Sequence, residues 1–264
     1  MAIVNVTPDS FSDGGRHFSV DKAVDHARAC LAEGADILDI GGESTRPGAA
    51  PVSPAEEQDR VLPVIERLAR ETDALISIDT YRAETARLAV AAGAHIVNDV
   101  HGLQKEPEIA DVAAATGAGL CIMHTGRGRE RLADVIADQF DYLERSLAIA
   151  AAAGVVREAI VLDPGFGFAK ETADENMALM ARCDELLALG YPLLVGTSRK
   201  RFLGTLTGRD AGERDVATAT TTTLLRLKGA SVFRVHNVAI NRDALAITDA
   251  MIAAQRESAK GQAR

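Results

Sequence analysis

The sequence Met1-Ala-Ile-Val-Asn-Val-Thr-Pro-Asp-Ser-Phe-Ser-Asp-Gly-Gly15 joins a short apolar run to a long polar segment. The apolar run predicts a buried β-strand over Ala2–Val6. The polar segment holds more turn-forming residues than a simple strand-to-helix connection requires. Long polar loops at the carboxyl ends of strands are where α/β proteins place functional groups. The stretch therefore predicts one strand–loop–helix unit with a functional loop.

The same unit recurs along the whole chain. Eight apolar runs predict strands that are covered on both faces. These strands are Ala2–Val6, Asp36–Ile40, Leu75–Ile78, His95–Asn98, Leu120–Met123, Ile160–Leu162, Leu193–Val195 and Val232–Val235. Amphipathic patterns between them predict helices, the first capped by Ser19 and the longest near Arg131–Ala153. The second helix begins with a capping box, Ser53-Pro54-Ala55-Glu56.

A glycine follows six of the predicted helices, as expected where a left-handed residue ends a helix. These glycines are Gly34, Gly93, Gly117, Gly154, Gly190 and Gly229, and the last four are spaced by 37, 36 and 39 residues. A regular period that fills 264 residues predicts a single-domain (β/α)8 TIM barrel over residues 1–264. A doubly wound open sheet is the alternative. It is disfavoured because no Gly-x-Gly-x-x-Gly follows the first strand.

Composition narrows the class of protein. The chain is 47% hydrophobic and 25% charged, as globular proteins are. Without a membrane-length apolar run or a signal pattern, we expect a cytoplasmic protein that does not enter membranes. A net charge of −9 without a long basic run argues against nucleic acid as a partner. Cys30, Cys121 and Cys183 predict buried thiols rather than zinc ligands. Because Met1 directly precedes the first strand, the sequence leaves open whether the N-terminus has been trimmed.

Polar residues stand at the carboxyl end of every predicted strand, the end at which barrels carry their active sites. Arg234 and His236 alternate on one strand and are expected to face the same way. Together with Asn5, Thr45 and Arg46 they can hold a phosphate or a pyrophosphate. The amide oxygen of Asn5 can also bind a hard cation.

A second group of strand-end residues suits a flat heterocycle rich in hydrogen-bond donors. Asp79, Asn98 and Asp163 supply two carboxylates and an amide toward the barrel centre, and Lys200 can donate to a ring carbonyl or nitrogen. Either aspartate alone would more often be a helix cap. The convergence of all the strand ends predicts a binding site.

Other polar residues are less informative. His124 is either a functional or a structural residue. The arginines that follow it predict a solvent-exposed loop in preference to an anion-binding patch; they are Arg127, Arg129 and Arg131.

At this point the chain resembles the dihydropteroate synthases, a pterin-binding family. The motifs that carry the resemblance are Asn5–Gly15, Gly41–Pro47, Ile78–Thr80, Asn98–Asp99, Met123–His124, Asp163–Phe168, Ser198–Phe202 and Arg234–His236. The resemblance implies a (β/α)8 barrel that uses Mg2+ and forms a homodimer. It implies a transferase that joins 6-hydroxymethyl-7,8-dihydropterin diphosphate to p-aminobenzoate, releases pyrophosphate in folate biosynthesis, and is the target of sulfonamides.

The resemblance also assigns roles to residues. The pterin would be held by Asp79, Asn98, Met123, Asp163, Phe168, Gly196 and Lys200. The diphosphate would be held by Asn5 through Mg2+, and by Thr45, Arg46, Arg234 and His236. The p-aminobenzoate would be held by Phe11, Thr45, Arg46, Pro47, Phe168, Ser198 and Lys200. The catalytic set would be Asp13, Asp79, Asp163, Lys200, Arg234 and His236. Pyrophosphate is expected to leave before the amine attacks, beneath a lid formed by Thr7–Gly15.

Two other functions fit a pterin-binding barrel. A corrinoid or methionine-synthase type of methyltransferase would share the pterin carboxylates, but it would not need Ser198–Lys200 or Arg234–His236. A paralogue that only binds pterin would have lost a loop residue or an anion ligand, and here all are present. The chain departs from common family residues at His101, at Thr125–Arg129 and at Asn237, each beside a matched motif.

Overall fold

A computed structural model describes residues 1–6, 16–43 and 51–262. Within these ranges strands and helices alternate along the chain. The strands are β1 (Ala2–Asn5), β2 (Ile37–Gly41), β3 (Leu75–Asp79), β4 (Ile96–Asp99), β5 (Gly119–Met123), β6 (Ile160–Asp163), β7 (Leu194–Val195) and β8 (Val232–Phe233). The helices are α1 (Arg16–Ala32), α2 (Pro54–Glu71), α3 (Ala83–Ala91), α4 (Glu108–Thr116), α5 (Val135–Ala153), α6 (Ala173–Ala181), α7 (Arg201–Thr207), α8 (Asp215–Leu227) and α9 (Val238–Gln262).

The strands close into a parallel barrel. Strands β1 to β6 pair in sequence order, and β7 pairs with β8. Two single bridges complete the ring: Leu162 pairs with Leu193, and Ala2 pairs with Val235. The fold is therefore the predicted (β/α)8 barrel, in which the carboxyl ends of all strands meet at one mouth.

Several helix boundaries differ from the sequence prediction. Helix α1 begins at Arg16, so Ser19 lies inside it and is not its cap. Helix α5 begins only at Val135, because the Asp134 side chain accepts from the backbone amides of residues 136 and 137. It is also shorter than α9, which has 25 residues. The apolar residues before Asp134 extended the helical pattern beyond the true cap.

The second helix confirms half of its predicted capping box. Ser53 Oγ accepts from the Glu56 backbone N–H at 3.2 Å, and Pro54 occupies the first helical position. The Glu56 carboxylate instead pairs with Arg60. One of the two reciprocal capping hydrogen bonds is therefore present.

Glycines in the left-handed conformation follow the helices, and branched aliphatic side chains fill the core. All six predicted helix-terminal glycines have positive φ angles, from 74° to 114°. The three cysteines are buried, as predicted. No helix in the described part of the chain is both long and apolar enough to cross a membrane.

Candidate active site

A salt-bridge network crosses the barrel mouth. Asp79 is the last residue of β3, and Arg234 directly follows β8. The Nη2 of Arg234 donates to Asp79 Oδ2 at 2.7 Å, and its Nε donates to Asp39 Oδ2 at 2.6 Å. Closure of the barrel thus places a predicted diphosphate ligand in contact with a predicted pterin ligand.

Asp39 is a site residue that the sequence prediction missed. It is fully buried in β2, and its Oδ2 also accepts from Asn98 Nδ2 at 3.2 Å. The residue therefore orients both Arg234 and Asn98 from beneath. A carboxylate in the middle of an apolar predicted strand was a signal that could have identified it, because buried carboxylates need partners.

Asp163 is the last residue of β6, two strands along the ring from β8. Its Oδ1 accepts from the Gly165 backbone N–H at 2.7 Å. A Cβ placed on Gly196 would lie 4.0 Å from Asp163 Oδ2 and 3.8 Å from Arg234 Cβ, so this glycine keeps the space between the two side chains open. The role of Gly196 beside the pterin stays a prediction.

Lys200 approaches the same space from the end of the loop after β7. Its ammonium donates to the Phe166 carbonyl and lies 4.8 Å from the centroid of the Phe168 ring. The guanidinium carbon of Arg127 lies 4.6 Å from the centroid of the same ring. Met123 is buried at the end of β5, and a Cβ on Gly165 would lie 3.4 Å from its Cγ.

Burial shifts the ionisation of these groups. It raises the pKa of Asp79 to about 7, although the positive charge of Arg234 opposes the shift. Burial likewise raises the pKa of Asp163 against the charge of Lys200, and it lowers the pKa of Lys200 to about 8. For Arg234, Asp39 and Asp79 outweigh the effect of burial and raise its pKa. The site therefore holds carboxyl and amino groups that titrate near neutral pH.

Ser198 and His236 form a separate pair at the rim. The Ser198 Oγ lies 2.9 Å from His236 Nδ1 and accepts from the His236 backbone N–H at 3.1 Å. A hydroxyl that accepts from the backbone can donate its proton to the ring nitrogen. His236 is thereby tied to Ser198 through both its backbone and its ring Nδ1.

Asn5 ends β1 on the same rim. A Cβ placed on Gly41 would lie 3.6 Å from Asn5 Oδ1 and 3.7 Å from Asp79 Oδ2. Both oxygens therefore lie beside Gly41. Five predicted site residues lie outside the described residues, and their roles stay predictions: Phe11, Asp13, Thr45, Arg46 and Pro47. The predicted lid Thr7–Gly15 lies outside them as well.

The segment after β5 differs in part from its prediction. His124 is buried, and its Nε2 lies 3.0 Å from Asp138 Oδ2. Arg127 and Arg131 are exposed, as expected for a solvent-exposed loop. Arg129 does not fit the predicted exposed loop. It is half-buried and donates to both carboxylate oxygens of Asp138.

Comparisons with known proteins agree with this geometry. Residues 1–236 match the sequence model of a family described as pterin binding enzyme. The dihydropteroate synthase of Bacillus subtilis is 48% identical over 238 residues, which cover 90% of this chain and 83% of the relative. The crystal structure of dihydropteroate synthase from Clostridium difficile with pteroic acid has a TM-score of 0.92 and 45% identity, over 95% of both chains. The Xanthomonas albilineans dihydropteroate synthase with 4-aminobenzoic acid has a TM-score of 0.91 and 44% identity, over 96% of this chain and 92% of that one.

Proposed function

The chain belongs to the pterin-binding enzyme family, in its dihydropteroate synthase branch, and we propose that the residues at the barrel mouth perform that reaction. It joins 6-hydroxymethyl-7,8-dihydropterin diphosphate to p-aminobenzoate and gives 7,8-dihydropteroate and pyrophosphate. The observation that carries the assignment of residues is the contact between Arg234 and Asp79. It places the anion-binding group next to the ring-binding group, as a substrate that carries a diphosphate on a pterin ring requires.

The pterin ring binds in the space kept open by Gly196. The carboxylates of Asp79 and Asp163 accept from ring N–H and exocyclic amino groups, and the Asn98 amide can both donate and accept. Lys200 uses one of its three N–H donors on the Phe166 carbonyl, which leaves donors for a ring carbonyl or nitrogen. Met123 and Phe168 cover the ring faces.

The diphosphate binds toward Arg234 and His236. The Nε of Arg234 and one N–H of Nη2 are held by carboxylates, so the remaining N–H groups can donate to phosphate oxygens. These groups stabilise the negative charge that grows on pyrophosphate as it leaves.

The carboxylates of Asp79 and Asp163 then stabilise the positive charge that develops on the pterin. The amine of p-aminobenzoate is already nucleophilic, so the protein has to orient it rather than deprotonate it. Ser198, Phe168 and Lys200 border the side from which it approaches. Positioning of this kind accounts for a large part of the catalysis.

Mg2+ is the proposed cofactor, and the residues at the mouth fit it. No group of three or more His, Cys, Asp or Glu side chains in the described ranges could hold a metal by itself. Mg2+ binds readily through one or two protein oxygens together with substrate phosphates and water. The Asn5 amide oxygen, beside Asp79, would be such a ligand. When bound, the ion would neutralise charge on the diphosphate.

A homodimer is proposed from the exposed apolar surface of α8 and α9. Leu224 is 47% exposed on α8, and Ile247 is 76% exposed on α9. The Thr248 Oγ1 lies 3.3 Å from Thr223 Oγ1, so the two apolar residues lie on adjacent helices at the same height. Sedimentation should give a dimer for the wild type and a monomer for Ile247→Asp. A monomeric wild type would contradict the proposal.

The reaction is tested by measuring pyrophosphate release from the pterin diphosphate with and without p-aminobenzoate. Formation of 7,8-dihydropteroate that depends on p-aminobenzoate is expected. A protein that binds pterin but forms no such product would be the silent paralogue, and one that transfers a methyl group would be the methyltransferase. The cytoplasmic location stays a prediction.

A further inference from the structure

Lys170 is a buried lysine that the mechanism above does not use. It follows the loop after β6 and is only 4% exposed. Its ammonium donates to the Gly165 carbonyl at 2.9 Å and lies 3.5 Å from the Phe168 carbonyl and 3.1 Å from His124 Nδ1. Three acceptors thus surround a group that has three N–H donors.

The hydrogen bonds of His124 are consistent with this arrangement. A carboxylate only accepts, so the contact of Nε2 with Asp138 Oδ2 places the ring proton on Nε2. Nδ1 is then free to accept from Lys170. Burial lowers the pKa of His124 to about 4, which keeps the ring neutral. Arg129 Nη2, which lies 2.9 Å from Nε2, donates to the shared Asp138 oxygen instead.

Asp138 is held in turn by the segment after β5. It accepts from both terminal nitrogens of Arg129, at 2.8 and 2.6 Å, and from the Leu132 backbone N–H at 2.8 Å. A chain of hydrogen bonds therefore runs from this segment through Asp138 and His124 to Lys170. Lys170 is therefore held by His124, which lies outside the loop whose carbonyls Lys170 contacts.

The loop that Lys170 contacts has an irregular backbone. Gly165 and Gly167 have φ angles of +64° and +75°, and Ala169 has a φ of +55°. A left-handed conformation costs a residue with a Cβ about 1–2 kcal/mol. Two further side chains hold this loop: Lys200 donates to the Phe166 carbonyl, and Asn176 Oδ1 accepts from the Gly167 N–H at 2.8 Å.

We propose that Lys170 is a positioning residue that holds the loop Asp163–Phe168 in its pterin-binding shape. It acts through the carbonyls of Gly165 and Phe168. The Gly165 N–H orients the Asp163 carboxylate, and Phe168 presents its ring beside Lys200. The inference rests on the proposed role of Asp163 as a pterin ligand.

Loss of the ammonium has a defined consequence. In Lys170→Met, the Gly165 carbonyl and His124 Nδ1 lose their donor in a buried environment, which is unfavourable. The loop is expected to relax, so that Asp163 and Phe168 move away from the positions that suit the pterin. Pterin binding then weakens even where the barrel stays folded.

The test compares Lys170→Met with Lys228→Met, whose lysine forms an exposed pair with Asp184. We expect the KM for the pterin diphosphate and the Kd for pteroic acid to rise roughly tenfold or more in Lys170→Met, because buried acceptors lose their donor. They should stay at wild-type values in the second. A folded Lys170→Met protein with the wild-type KM and Kd would overturn the proposal.

If Lys170→Met does not fold, a pair of variants at His124 tests the proposal instead. His124→Asn keeps an acceptor near the position of Nδ1, whereas His124→Leu removes it. A larger rise in the pterin KM for the leucine variant supports the proposal, and equal values for the two variants contradict it.

Asp163→Asn separates this proposal from the assignment on which it rests. Unchanged pterin binding in that variant would refute the role of Asp163 itself. Weakened binding in Asp163→Asn together with wild-type binding in Lys170→Met would refute only the positioning role.

Discussion

The guanidinium of Arg234 lies 2.7 Å from the carboxylate of Asp79, although 155 positions separate the two residues in the chain. Arg234 serves the diphosphate and Asp79 serves the pterin in the proposed mechanism. Their contact means that each group is neutralised by the other before substrate arrives. The diphosphate then binds through the remaining N–H groups of Arg234, so no unpaired charge is left in a buried place.

The buried carboxylate beneath this pair should be important for stability. We expect Asp39→Asn to lower the free energy of unfolding by about 3 kcal/mol, because it removes one partner of a buried ion pair. The control is Asp36→Asn, directly before β2. It removes an exposed partner of Arg242 at 3.4 Å and should change the free energy of unfolding little. Urea denaturation measures both. Equal stabilities of the two variants would show that Asp39 is not a buried anchor.

The pH dependence of kcat/KM should form a narrow bell. Asp79, with a pKa near 7, must be ionised to stabilise positive charge, so activity rises as pH increases through that value. Lys200, with a pKa near 8, must be protonated to donate, so activity falls above it. In Lys200→Arg the falling limb should move to higher pH, because guanidinium stays charged. An unchanged falling limb in the arginine variant would assign it to another group.

The same shifts affect stability in a defined direction. The folded-state pKa of Asp79 exceeds its ordinary value of 3.8, so the folded protein binds more protons between the two values. The contribution of this group is therefore full below pH 4 and is lost as pH rises through about 7. The free energy of unfolding of Asp79→Asn should depend less on pH in this window than that of the wild type. Parallel pH curves for the two proteins would contradict this expectation.

The turn after β6 should not tolerate a side chain at Gly165. A Cβ there would lie 2.0 Å from the His124 carbonyl oxygen, and the residue has a φ of +64°. Gly165→Ala should therefore displace the loop and raise the pterin KM. Gly154→Ala has a similar φ of +85° but no atom within 4 Å, so it should cost only about 1–2 kcal/mol of stability and leave the KM unchanged. Chemical denaturation and steady-state kinetics on both variants separate the cost of the left-handed backbone from the effect of the steric clash with His124.

Arg82 should anchor the two flanks of residues 44–50, which carry Thr45 and Arg46. Its Nη1 donates to Glu43 at 2.7 Å and to buried Glu57 at 3.0 Å, and its Nη2 donates to the Val52 carbonyl at 2.7 Å. Arg82→Met should lower stability by about 3 kcal/mol, because it leaves Glu57 without its charge partner. It should also raise the KM for p-aminobenzoate.

The matched control for Arg82 is Arg87→Met, which removes an exposed pair with Glu84 and should change neither quantity. Thermal unfolding and the p-aminobenzoate KM are measured for both variants. A wild-type KM in a destabilised Arg82→Met protein would limit Arg82 to a role in stability.

The sequence predicted all eight strands, and the structure moves their ends by one or two residues. Strand β8 was predicted to reach Val235 but ends at Phe233, since Val235 joins β1 through a single bridge. Helix starts were predicted less well, because apolar periodicity continues past the true cap, as it does before Asp134. Local patterns identify an element more reliably than they identify where a side chain terminates it.

By itself, the sequence determined the repeated strand–helix period, the left-handed glycines between units, and the polar residue at each strand end. These features depend on local conformation and on the direction of parallel strands. Only the tertiary structure decided that Arg234 pairs with Asp79 and Asp39, and that Lys170 reaches the Gly165 carbonyl. Such contacts join segments that are distant in the chain, so they exist only after the barrel closes. Closure also removes water from these charges, and this desolvation sets the pKa values at the mouth.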